Sequence, residues 1–125
     1  MSPKYLIFAA AAAGMALVNM PVVAHHSAIQ FDFQQSAELT GTVKLLRVVN
    51  PHARLVLTVS DASGTRDVVF EGHSRNNYYR DGWRRGLISA GDTITVVYAP
   101  MRDGSDGGFV NQFVLESGQK IGLGT

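Results

Sequence analysis

An all-β fold with one short helical interruption is what this 125-residue sequence predicts, and three observations predict it. Apolar, largely β-branched residues gather in stretches of strand length, and several of these alternate at period two. Turns containing Gly or Pro separate the stretches. Only Ser74 to Ile88 (SRNNYYRDGWRRGLI) changes period, with Tyr78, Tyr79, Trp83, Leu87 and Ile88 spaced by three to five positions.

The longest stretch is Glu38 to His52, ELTGTVKLLRVVNPH. Val43, Leu45, Val48 and Val49 suit a pleated, half-buried surface. Gly41 suits a bulge or tight bend, as a strand curling round a small barrel needs. Asn50-Pro51 ends the run, because proline cannot donate to a ladder and biases Asn50 towards extended geometry. Ahead of it, Ile29, Phe31 and Phe33 alternate with polar residues from His25 to Gln35, which predicts a short strand or an extended arm packed along one side.

Arg54 to Ser60 is the second strand, with Leu55, Leu57 and Val59 on one face. Asp61-Ala62-Ser63-Gly64 is a short hairpin loop, and Thr65 to Gly72 the third strand. A helix is expected near Asn76 to Asp81, followed by an irregular turn built on Trp83. Thr93 to Tyr98 is a fourth strand ended by Pro100, Phe109 to Leu115 a fifth, and Gln119 to Ile121 a short last one. Three hairpin-linked strands, a helical linker and two further strands fit the five-stranded Greek-key barrel of OB type. A small open β-sandwich is the competing architecture.

Residues 1–24 stand apart from that pattern. Lys4, the apolar run from Tyr5 to Val18 and Pro21-Val22-Val23-Ala24 are the three regions of a secretory signal peptide. The apolar run falls short of the about 20 residues of a membrane span. An uncleaved N-terminal anchor is the alternative. Cleavage after Ala24 leaves one domain, residues 25–125, with no integral membrane span, bound for the periplasm or the exterior. Lys4 is the only charged side chain removed, so the 11 Lys and Arg become ten against ten Asp and Glu. That balance argues against a nucleic-acid partner held by bulk charge. The chain has no cysteine, so no disulfide supports the fold.

Four histidines are the unusual feature. His25 and His26 open the mature chain, His52 follows the turn after strand one, and His73 follows strand three. Alternating strand directions place the last two, and the start of the N-terminal arm, at one end of a barrel. Imidazole at that density suits copper, zinc or nickel. Cleavage after Ala24 would give His25 a free α-amino group beside its own ring. Amine and ring, with His26 or His52 as third donor, make a T-shaped copper site, and tetragonal nitrogen ligation favours Cu(II). The metal ligands expected are therefore His25, His26 and His52, with Glu71 orienting a ligand from behind and His73 as an alternative ligand. The plainer readings are a solvated histidine tail, a His52 that only bonds its own turn, and a Glu71 paired with Arg75 or Arg80.

Ala24-His25-His26-Ser27, Phe31-Asp32, Thr40-Gly41-Thr42-Val43, Asn50-Pro51-His52, Glu71-Gly72, Gly82-Trp83 and Gly91-Asp92 together resemble a family of small exported bacterial proteins of unknown function. The resemblance spans nearly all of the mature chain. It implies an exported β-rich domain and no established activity. His25, His26, His52 and Glu71 fall on the family's pattern and His73 does not.

Enzyme signatures are missing: there is no nucleophilic cysteine, no G-x-S-x-G, no H-E-x-x-H and no phosphate loop. The expectation is thus a metal-binding or metal-delivery domain, copper favoured. A metal-free adaptor for a protein or glycan of the cell envelope is the second reading, and an exposed aromatic patch around Tyr78, Tyr79 and Trp83 would support it. Trp83 by itself reads as a plug between helix and barrel.

Overall fold

The computed structural model describes residues 27–122. Residues 1–24, expected to be a signal peptide, and His25 and His26 lie outside the described residues. A short 3₁₀ helix, Ser27–Gln30, leads to β1 (Ala37–Arg47), β2 (Arg54–Asp61), β3 (Gly64–Gly72), helix α1 (Arg75–Arg80), β4 (Thr93–Pro100), β5 (Gly108–Leu115) and β6 (Lys120–Gly122).

β1 pairs with β2 on one side and β4 on the other, β2 with β3 and β4 with β5, all antiparallel. A parallel pairing of Phe70–Gly72 with Gly108–Val110 joins β3 to β5. The sheet therefore closes in a ring, β1-β2-β3-β5-β4, with α1 between β3 and β4. This is the OB-like Greek-key arrangement expected from the order of elements, and it rules out the open sandwich. β6 uses the rest of the β5 edge, against Gln112 to Val114.

Closure requires backbones to approach closely. Gly108 sits where β5 touches both β3 and β4, and a Cβ there would run into the Ala99 carbonyl. Gly41 has the same role in β1, since its Cβ would lie 2.8 Å from the Thr58 oxygen of β2. Gly41 thus marks the tight bend, while the register shift between β1 and β2 falls two residues later, between Val43 and Leu45.

Inward-facing residues fill the ring. Val43, Leu55, Leu57, Val59, Val68, Phe70, Ile94, Val96 and Phe113 are buried, and Tyr78, Trp83 and Ile88 plug the core from the helical linker. Ser74 caps α1 by accepting from the Asn77 N–H at 3.3 Å. A smaller apolar cluster, Phe31, Ala99 and Phe109 with Met101 packed against it, lies beside the main core.

Three expectations need correction. The N-terminal arm is not a strand. It is the 3₁₀ helix, then a single bridge from Phe31 to Met101 just past β4. Asp32 explains why no strand follows: its carboxylate accepts from the Gln34 N–H and its carbonyl from the Gln35 N–H, which turns the chain. Of the alternating residues only Phe31 is buried, while Ile29 and Phe33 are 63% and 50% exposed. β1 stops at Arg47, so Val48 and Val49 belong to the turn. Pro100 does not lie beyond β4 but is its last residue, pairing with Gly108 while its carbonyl accepts from the Asp32 N–H.

Candidate functional site

One end of the ring collects four pieces of chain. Arg54, the first residue of β2, faces Glu71 near the end of β3. Phe70 lies beside Gly108, the first residue of β5, which also faces Pro100, the last of β4. Phe31 bridges Met101 across that junction. The Asp32 N–H donates to the Pro100 carbonyl at 2.8 Å and the Arg102 N–H to the Gln30 carbonyl at 2.9 Å, so the N-terminal arm is sewn to this end. Between these pieces is a pocket of about 340 Å³, whose walls include Gln30, Phe31, His52, Glu71, Met101 and Asp106.

His52 reaches the pocket from the turn between β1 and β2, which holds a cis Asn50-Pro51 bond. That turn is fixed on both sides. The Ala53 N–H donates to the His73 carbonyl and the Gly72 N–H to the Ala53 carbonyl, both at 2.9 Å. The His52 Nδ1 lies 3.3 Å from the Gly72 carbonyl oxygen and 3.7 Å from Glu71 Oε1. Both oxygens can only accept from it, since a carbonyl and an ionised carboxylate have no proton to give. The tautomer with the proton on Nδ1 is the one that bonds the Gly72 carbonyl, and in it Nε2 keeps its lone pair. Glu71 lies beside the His52 Nδ1, and among the described residues it makes no ion pair with Arg75 or Arg80.

His73 shares an aromatic neighbour with His52. Its ring packs edge-on against Phe109 with centroids 4.8 Å apart, and His52 meets the same Phe109 at 6.5 Å. His73 faces a separate cleft with Asn77, Arg80 and Asp81. Burial holds its imidazole below the usual histidine range; the Asp81 charge opposes that shift and His52 adds to it. The two rings thus meet at one end of the ring of strands, as the topology predicts, but open onto different cavities.

Asp106 is anchored at the pocket by Arg66, which also holds Asp61 at 2.8 Å. The guanidinium keeps both carboxyls below the ordinary aspartate range. Among the described residues no three His, Asp or Glu side chains gather closely enough to hold a metal ion. Of the expected ligands, the structure brings together His52 and Glu71. His25 and His26 lie outside the described residues, but the chain lining the pocket at Gln30 comes directly from them, since His26 immediately precedes Ser27.

Sequence reasoning missed Met101. A lone methionine after a proline carries no spacing signal, and only the Phe31 bridge shows that its thioether shares a pocket with His52. The aromatic face expected of an adaptor is not there. Tyr78 is fully buried and Trp83 is 8% exposed, which leaves Tyr79 alone at the surface. No helix among the described residues is long and apolar enough to cross a membrane.

Residues 12–111 match a family described only as a family of unknown function, DUF6152. No curated protein and no solved structure matches the chain.

Proposed function

The chain belongs to that family of unknown function, and on this footing we propose that it binds a transition metal, copper in preference to zinc, at the pocket bordered by His52. The observation that carries the reading is the state of His52: its Nδ1 faces the Gly72 carbonyl and Glu71, so Nε2 is the donor left for a metal. Liganding histidines are held this way from behind. His25 and His26 supply the remaining nitrogens, since the described residues alone do not complete a set. Tetragonal nitrogen ligation favours Cu(II), and Met101 on the same pocket would suit the reduced ion, Cu(I). Binding or delivery of the ion, without chemistry on a substrate, is the role.

The reading includes export to the periplasm or beyond, with cleavage after Ala24 so that the His25 amine is free. The mass of the secreted protein checks this directly. Titration calorimetry of the mature protein with Cu(II) tests the site. The expected result is one tight site that His52→Ala weakens severely. Micromolar binding that survives His52→Ala would leave only a histidine tail, and no binding at all would end the proposal.

A further inference from the structure

A second cleft, on the other side of α1, has a different chemistry. Leu46, Val48 and Ile88 form an apolar floor, the Tyr79 and Trp83 rings a wall, and Arg75 and Arg85 the polar edge, around about 250 Å³. No acidic residue lines it. From Arg75 to Arg85 the chain carries four arginines, Arg75, Arg80, Arg84 and Arg85, against the single Asp81, although the protein as a whole is nearly neutral. Arg84 is committed to the fold: its Nη1 donates to the carbonyls of Tyr79 and Trp83 at 2.8 and 2.7 Å, and its guanidinium lies over the Tyr79 ring. Arg75 and Arg85 are exposed and take part in none of the ion pairs among the described residues. The indole Nε1 of Trp83 is buried and finds no acceptor among those residues. A buried donor without an acceptor is uncommon in a folded protein and calls for one.

We infer that this cleft binds a small amphiphilic anion, a carboxylate or phosphate head on an apolar body. The head lies between the Arg75 and Arg85 guanidinium groups, whose fork matches either oxyanion. The body lies on Leu46, Val48 and Ile88. The Trp83 donor is closed to solvent, so an oxygen of the ligand reaches it only as the wall yields. This inference is independent of the metal reading and uses none of its residues.

The chain has one tryptophan, so emission excited selectively in the indole reports on Trp83 at this cleft. Mature protein is titrated with hexanoate, with hexyl phosphate and with vesicles of phosphatidylglycerol. A saturable change in emission that weakens at least tenfold in Arg75→Gln/Arg85→Gln, and only slightly in Arg80→Gln, is the expected result. In wild type the same binding weakens as sodium chloride is raised, which tests the charge without any substitution. A response to the soluble amphiphiles makes the ligand a free small molecule; a response to vesicles alone makes it a lipid headgroup. No saturable change with any of the three overturns the inference. So does a response that the double substitution and salt leave intact.

Discussion

Two places on the same protein use a polar group in opposite ways. At Tyr78 the phenol is fully buried and satisfied: it accepts from the His73 N–H and donates to the Val110 carbonyl, both at 3.1 Å, directly over Gly72. Burial pushes its hydroxyl well above the usual tyrosine range. Twenty-six residues earlier in the chain, His52 lines a pocket and has its Nδ1 3.3 Å from the Gly72 carbonyl oxygen, which leaves Nε2 without a partner in that contact. The first is a strut and the second a donor in waiting. Where every hydrogen-bonding valence is met by the chain, the side chain fixes the fold; where one is left over beside a cavity, there is something for a ligand to use.

The contrast is sharpest for removal of the strut. Tyr78→Ala should destabilise the protein by about 3–5 kcal/mol, the range for a large buried aromatic, read from the urea midpoint. If it costs less than about 1 kcal/mol, Tyr78 is not structural and the comparison fails. Tyr78→Phe keeps the ring but orphans the His73 N–H and the Val110 carbonyl, for about 1–3 kcal/mol. Gly72→Ala should fall in a similar range, because its Cβ collides with the fixed Tyr78 hydroxyl.

Glu71→Gln tests the other side. It leaves the urea midpoint nearly unchanged and lowers copper affinity by about 10–100-fold, the usual loss when a ligand's orienting partner is replaced. Equal affinity in calorimetry would mean that Glu71 does not orient His52. The smallest effect is on pH dependence. His73 is held below 6.5 in the folded state, so between its folded value and 6.5 the unfolded chain binds more protons. Stability is then full above pH 6.5 and declines as pH falls through that window. A separate acid decline starts below the ordinary 3.8 of aspartate, where Asp61, Asp67, Asp103 and Asp106 are held ionised. His73→Gln should abolish the upper decline and leave the lower one; urea midpoints at pH 7.5 and 5 decide.

Much of this was legible in the residues and some was not, for physical reasons. The strands were readable because Leu55, Leu57 and Val59 each point inward, so burial is written at period two. Ring closure followed from the order of elements. The arm misled because Phe31 and Phe33 alternate like a strand, while the turn at Asp32 depends on one carboxylate and two amides that no periodicity reports. Tyr78 and Tyr79 were indistinguishable because six residues make under two turns of helix, too short for a period of 3.6 to separate neighbours. At the site, the placing of His52 and His73 at one end of the ring was foreseeable from strand direction, while for Glu71 the residues left closeness to His52 open beside a pairing with Arg75 or Arg80. Met101 was not foreseeable, since its contact with Phe31 joins segments far apart in the chain.

The three-residue seam between β3 and β5 has a bearing on how the protein is made. Its two halves, Phe70–Gly72 and Gly108–Val110, are separated by nearly forty positions of chain, so a nascent polypeptide leaving the ribosome or crossing a translocon cannot shut the ring until the later half has emerged. Until then β3 and β4 each present an unpaired edge, the kind of surface on which chains add to one another. A chain truncated just ahead of Gly108 would be held in that half-built condition permanently, and should be found in aggregates or bound to chaperones rather than as a smaller folded domain.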